Sequence, residues 1–164
     1  MALIGENYFP PSSKSHMSFR RAKALEKIAS AVLKHRPSVI YVCPTKGVNI
    51  NLLPIIMLNN IKIKIVIPSQ NFFATLSEEE KIILEAACSY ADKIIFLSEE
   101  QVDPLGFADD WYRASERAVK SSDWVLVAHS AEDANESFDD LMIRFDKNPK
   151  PVLVVDFGEE EQYQ

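Results

Sequence analysis

The chain is expected to fold as one α/β domain around a doubly wound, mostly parallel sheet of about six strands, in the order 3-2-1-4-5-6. Three observations predict it. Six short apolar runs rich in β-branched residues recur along the chain, amphipathic stretches separate them, and no glycine- or serine-rich linker divides the whole. Parallel neighbours need crossover connections, and crossovers cover both faces of a sheet, which is why such strands read as continuous apolar runs. At 164 residues the chain is long enough to bury a core without disulfides or metals.

Residues 1–5 are apolar and stop at Gly5, which reads as a first strand feeding a loop. Pro10, Pro11, Ser12 and Ser13 keep the next stretch irregular. Ala22, Leu25, Ile28, Ala29, Val32 and Leu33 then recur at helical spacing and predict a helix over 18–35, ended by Pro37. Residues 38–43 (SVIYVC) form strand two. After a Pro-Thr-Lys-Gly turn, Asn49 or Asn51 is expected to cap a helix with Pro54 in its first turn that continues through Met57.

Residues 61–67 (IKIKIVI) make a third strand, whose early lysines suggest a sheet edge. Ser77 followed by Glu80 is a capping box ahead of Ile82, Ile83, Ala86 and Ala87, so a helix starts there and ends near Asp92. Strand four occupies 93–97, a helix 109–121 and strand five 124–128. A further helix carries Phe138, Leu141, Met142 and Phe145, and 151–156 (PVLVVD) closes the sheet. The domain thus runs over 1–158, with an acidic tail at 159–164.

Composition narrows the function. A net charge of -6 argues against polyanion binding, which needs a basic surface to release counterions, so a small molecule or a protein partner, including a second copy in a homo-oligomer, fits better than nucleic acid. The basic residues Lys14, Arg20, Arg21, Lys23 and Lys27 read as a solvated helix face. The chain opens with no signal-like segment, its longest apolar runs are too short for a bilayer, and Cys43 and Cys88 read as reduced buried thiols. A cytoplasmic protein without membrane contact is expected.

In a doubly wound sheet, ligands bind at the carboxyl ends of the strands where the chain crosses from one half to the other, here between strands one and four. That geometry nominates Gly5, Glu6 and Asn7, the turn 43–49, Ser69 and Gln70, and His129. The turn Cys43-Pro44-Thr45-Lys46-Gly47-Val48-Asn49 is the most informative, because it delivers a helix amino terminus into the crevice. Gly47 would let a ligand approach the backbone, and Thr45 and Lys46 could reach phosphate oxygens; a plain strand-to-helix turn with an asparagine cap reads the same residues as well.

The order of landmarks resembles the YpsA-like branch of the SLOG superfamily of Rossmann-like nucleotide-derivative binders. The first strand ends in Gly5 with a polar residue after it, and the turn 43–49 falls where the family has a Ser-Gly-x-x-Gly-x-Asp/Glu motif, with Gly47 on its second glycine and Asn49 on its acidic position. Ile67-Pro68, Gln70, Tyr90-Ala91-Asp92, Tyr112-Arg113 and Ser122-Asp123 continue the series over nearly the whole chain. The resemblance implies binding or sensing of a nucleotide or nucleoside derivative. Pro44 replaces the family's first glycine and Asn49 its acid, and Ala114 follows Arg113 where the family has asparagine.

Two other function classes fit the same residues. Glu6 could serve as the carboxylate of an enzyme acting at an N-glycosidic bond, although the Asp-x-Gly-Thr-x-x-Glu stretch of nucleoside deoxyribosyltransferases is missing. A degenerate domain serving oligomerisation or partner binding would also account for Pro44 and Asn49. His16, His35 and His129 have no metal-ligand spacing, and no P-loop, Gly-x-Ser-x-Gly or Gly-x-Gly-x-x-Gly motif occurs, so no metal or cofactor is expected. Trp111, Tyr112, Phe72 and Phe73 could cover a bound ring or belong to the core. For a phosphate, Arg113 or Arg117 is expected to supply the cation, with Lys46 as competitor.

Overall fold

The computed structural model describes residues 1–5, 15–97, 107–129 and 150–157. Within them run β1 (Ala2–Gly5), α1 (Ser15–His35), β2 (Val39–Val42), α2 (Val48–Leu58), β3 (Lys62–Ile67), a 3-10 turn (Gln70–Thr75), α3 (Glu78–Tyr90), β4 (Lys93–Phe96), α4 (Phe107–Lys120), β5 (Val125–His129) and β6 (Val152–Asp156). All strand pairings are parallel. The helix expected around Phe138 to Phe145, and the acidic tail, lie outside the described residues.

The sheet is the expected six-stranded, doubly wound one, with strands three, two and one adjacent in that order and β5 beside β6. Its full order is β4-β3-β2-β1-β5-β6. Strand four, expected next to strand one, therefore pairs with β3 at the outer edge, and β5 takes the place beside β1. The reason lies in the helices. α1 touches α2 and α2 touches α3, as expected for crossovers that carry the chain outward in one direction along one face. α4 then packs across β3, β2 and β1, bringing the chain back to deliver β5 on the far side of β1. The change of direction falls between β4 and β5, so the crevice of such a sheet lies between β1 and β5.

The core fills both sides of the inner strands. Leu3, Ile4, Ile40, Ile63, Ile65 and Ile67 are among the largest fully buried side chains. β3 is thus an interior strand, not the edge its lysines suggested. Lys62 lies exposed at its start, and Lys64 is half-buried with its ammonium 5.5 Å from the Tyr41 ring centre, an arrangement that keeps charge out of the core. The edge is β4, four residues long and opened by exposed Lys93.

Local signals translate unevenly. The capping box is realised: the Ser77 hydroxyl accepts from the Glu80 amide at 3.2 Å, and the Ser77 amide donates to the Glu80 carboxylate at 2.9 Å. In α1 the buried stripe is Ala24, Ile28, Ala29 and Val32, whereas Ala22 and Leu33 face solvent, a rotation of the expected face. In α2 the cap is Gly47, not an asparagine. Beginning at Val48, the helix takes Pro54 beyond its first turn, where the missing amide leaves the Ile50 carbonyl without its intrahelical donor.

Candidate functional site

The carboxyl end of β1 and the amino end of α2 meet at Gly5. Were Gly5 to carry a β-carbon, that atom would lie 2.5 Å from Val48 Cβ and 2.7 Å from Asn49 Oδ1, far inside contact distance. Glycine is required there because the helix start rests on the strand backbone. The turn that brings the helix down is tightly wired. The Cys43 carbonyl accepts from the Thr45 amide at 2.8 Å and from Asn49 Nδ2 at 2.8 Å, and the Thr45 carbonyl accepts from the Ile50 amide at 3.1 Å. Gly47 closes the turn at φ 101° and ψ −135°, a conformation open to glycine.

This helix start differs from an ordinary one in what it leaves unmade. Gly47 makes no side-chain cap, and no acidic residue occupies the first turn, so the dipole and the first amides are not offset by a local anion. Thr45 and Asn49 are each 1% exposed, yet Thr45 Oγ1 and Asn49 Oδ1 have no hydrogen-bond partner among the described residues. Buried polar atoms are nearly always paired, because an unmade bond costs about 1–3 kcal/mol. Asn49 Nδ2 is committed to the Cys43 carbonyl, which fixes the amide with Oδ1 turned toward Gly5 as an acceptor.

Of the other residues nominated from sequence, Lys46 stands exposed on the outer side of the turn, and Ser69 is buried where β3 passes into the 3-10 turn that Gln70 begins. His129 ends β5; since Gly5 is in register with Ala128, His129 is one residue beyond the Gly5 level, next to Asp156 of β6. The change in strand order is what brings His129 to the switch point. Glu6 and Asn7 lie outside the described residues. Arg113 and Arg117 are exposed on α4, and Arg117 is in the last turn of that helix, at the amino ends of the strands and away from Gly5. Phe72 and Tyr112 belong to the core, and Phe73 is half-exposed at an edge-to-face angle of 72° to Phe72.

Sequence reasoning assigned Arg21 to a remote helix face, and the structure moves it. α1 leaves the carboxyl end of β1, so its first half lies level with the start of α2. Arg21 donates to Asn51 Oδ1, and Asn51 Nδ2 donates in turn to the Gly47 carbonyl at 2.6 Å. The signal available beforehand was helix polarity: the opening turns of any crossover helix lie at the carboxyl ends of a parallel sheet.

Neither Cys43 nor Cys88 is in a disulfide; burial pushes the Cys88 thiol up, which holds it protonated and poorly nucleophilic at neutral pH. Among the described residues no group of three His, Cys, Asp or Glu side chains comes together as a metal site, and no helix is long and apolar enough to cross a membrane. No protein-family model matches the chain, and no curated protein matches it.

Proposed function

We propose that the chain binds a nucleotide or nucleoside derivative at the carboxyl ends of β1 and β2, with an anionic group on the amino terminus of α2. The observation that carries this reading is the buried helix start over Gly5, which has no side-chain cap, with Thr45 Oγ1 and Asn49 Oδ1 both lacking partners among the described residues. The amino terminus of a helix attracts phosphate oxygens. Asn49 Oδ1, an acceptor, calls for a hydroxyl or amino donor on the same ligand, and Thr45 can donate or accept. A phosphate beside hydroxyls describes a ribonucleotide or a related sugar phosphate better than a bare anion. The resemblance to the SLOG superfamily supports the same class.

Thermal unfolding in the presence of ribonucleoside mono- and diphosphates and the matching nucleosides tests the proposal. A ligand at a hundred times its dissociation constant stabilises the folded state by about 2.7 kcal/mol, enough to raise the melting temperature by several degrees. At least one phosphorylated compound should do so. A melting temperature unmoved by the whole panel at saturating concentration would overturn the reading.

A further inference from the structure

We infer that Arg21, held by Asn51 beside the amino terminus of α2, supplies the cation for the ligand's phosphate. The inference rests on the proposed function and replaces the expectation placed on α4. Three observations converge. Arg21 contacts Asn51, and Asn51 reaches back along the helix to the Gly47 carbonyl, so the guanidinium is tied to the first turn of α2 from a neighbouring element. The same turn leaves two buried polar atoms, Thr45 Oγ1 and Asn49 Oδ1, without partners, which marks it independently as incomplete. The Gly47 carbonyl is itself occupied by Asn51 Nδ2, which offsets an acceptor that would oppose an anion at the helix cap.

The other cations are placed less well. Lys46 is on the turn but exposed, and an ammonium in water holds phosphate as a mobile point charge. Arg113 and Arg117 face solvent on the helix that covers the opposite side of the sheet. A guanidinium presents its donors in a fixed planar fork, the geometry that a phosphate takes in bidentate fashion. Anchoring by Asn51 also reduces the side-chain freedom lost when the ligand arrives.

The test compares the four ribonucleoside 5′-monophosphates with their nucleosides as probes, by calorimetric titration of the parent, Arg21→Gln, Arg21→Lys, Asn51→Ala and Arg113→Ala proteins. The parent should prefer the phosphorylated probe. Arg21→Gln should lose about tenfold or more of that preference with nucleoside affinity retained, the equivalent of one charge-assisted hydrogen bond. Arg21→Lys should restore part of it, Asn51→Ala should weaken it less than Arg21→Gln, and Arg113→Ala should keep it whole. Melting temperatures without ligand identify any variant that fails to fold, and Arg21→Lys then carries the test through a reduced preference. A parent that binds none of the probes overturns the proposed function and this inference with it. A parent that prefers phosphate, with the preference unchanged in both Arg21 variants, overturns the inference alone.

Discussion

α2 and α3 pack against each other on one face of the sheet, yet their starts are finished in opposite ways. At α3 the Ser77 hydroxyl and the Glu80 carboxylate satisfy one another's backbone amides, and Glu78, Glu79 and Glu80 place negative charge in the first turn. All of this is at the surface and is complete within the chain. At α2 the cap is a glycine, the first turn is uncharged, and Thr45 Oγ1 and Asn49 Oδ1 are buried without partners among the described residues. One helix start is built for the stability of the domain. The other rests on the carboxyl end of β1, the strand that borders the switch point, and leaves two buried polar atoms without partners among the described residues. The comparison yields predictions that separate stability from binding.

The largest effect concerns the closeness of α2 to β1. Gly5→Ala puts a carbon 2.5 Å from Val48 Cβ, a branched atom next to the backbone that cannot swing aside. The helix start has to lift from the strand, and we expect a loss of about 3 kcal/mol, the upper part of the range for overpacking an interior. Denaturant unfolding measures it directly. A Gly5→Ala protein as stable as the parent would show that α2 moves freely relative to β1, and the geometry assigned to Asn49 Oδ1 would no longer hold.

That closeness also marks the limit of what the sequence conveys. The class of sheet, its strands, the capping box at Ser77 and the turn 43–49 between strand two and a helix are legible, because each rests on local spacing or composition. The place of β4 is not local. Lys62 and Lys64 imitate an edge strand, while the real edge is set by how far α1, α2 and α3 carry the chain before α4 crosses back. The cation expected at Arg113 or Arg117 rests on guanidinium chemistry, which says what can hold a phosphate and not where a side chain lies. Arg21 and Asn51 are thirty residues apart, and only the packed structure joins them.

A middle-sized effect belongs to α3. Ser77→Ala removes the side-chain acceptor for the Glu80 amide and should cost about 1 kcal/mol, the usual loss at a helix cap. Because α3 has no part in the site, ligand-induced stabilisation should be unchanged once the lower starting point is subtracted. A loss of binding in Ser77→Ala would mean that the two helix starts are coupled, and the division of labour drawn above would fail.

The smallest effect is the sharpest, because its sign is reversed. Thr45→Val keeps the shape of the side chain and removes only the hydroxyl that is buried without a partner. An unmade buried bond carries a desolvation cost, so taking away the polar atom should relieve it, and we expect the unliganded protein to gain up to about 1 kcal/mol. The methyl that replaces the hydroxyl occupies nearly the same space, so no cavity opens. In the liganded protein the same substitution removes a donor or acceptor that the proposed function assigns to the ligand, and the melting-temperature shift produced by the best phosphorylated probe should shrink. Stability and binding therefore move in opposite directions at Thr45, a trade expected where a protein holds polar groups in readiness for a ligand. If Thr45→Val instead loses 1 kcal/mol or more without ligand, the hydroxyl is already satisfied within the fold, and α2 begins in the same self-contained way as α3.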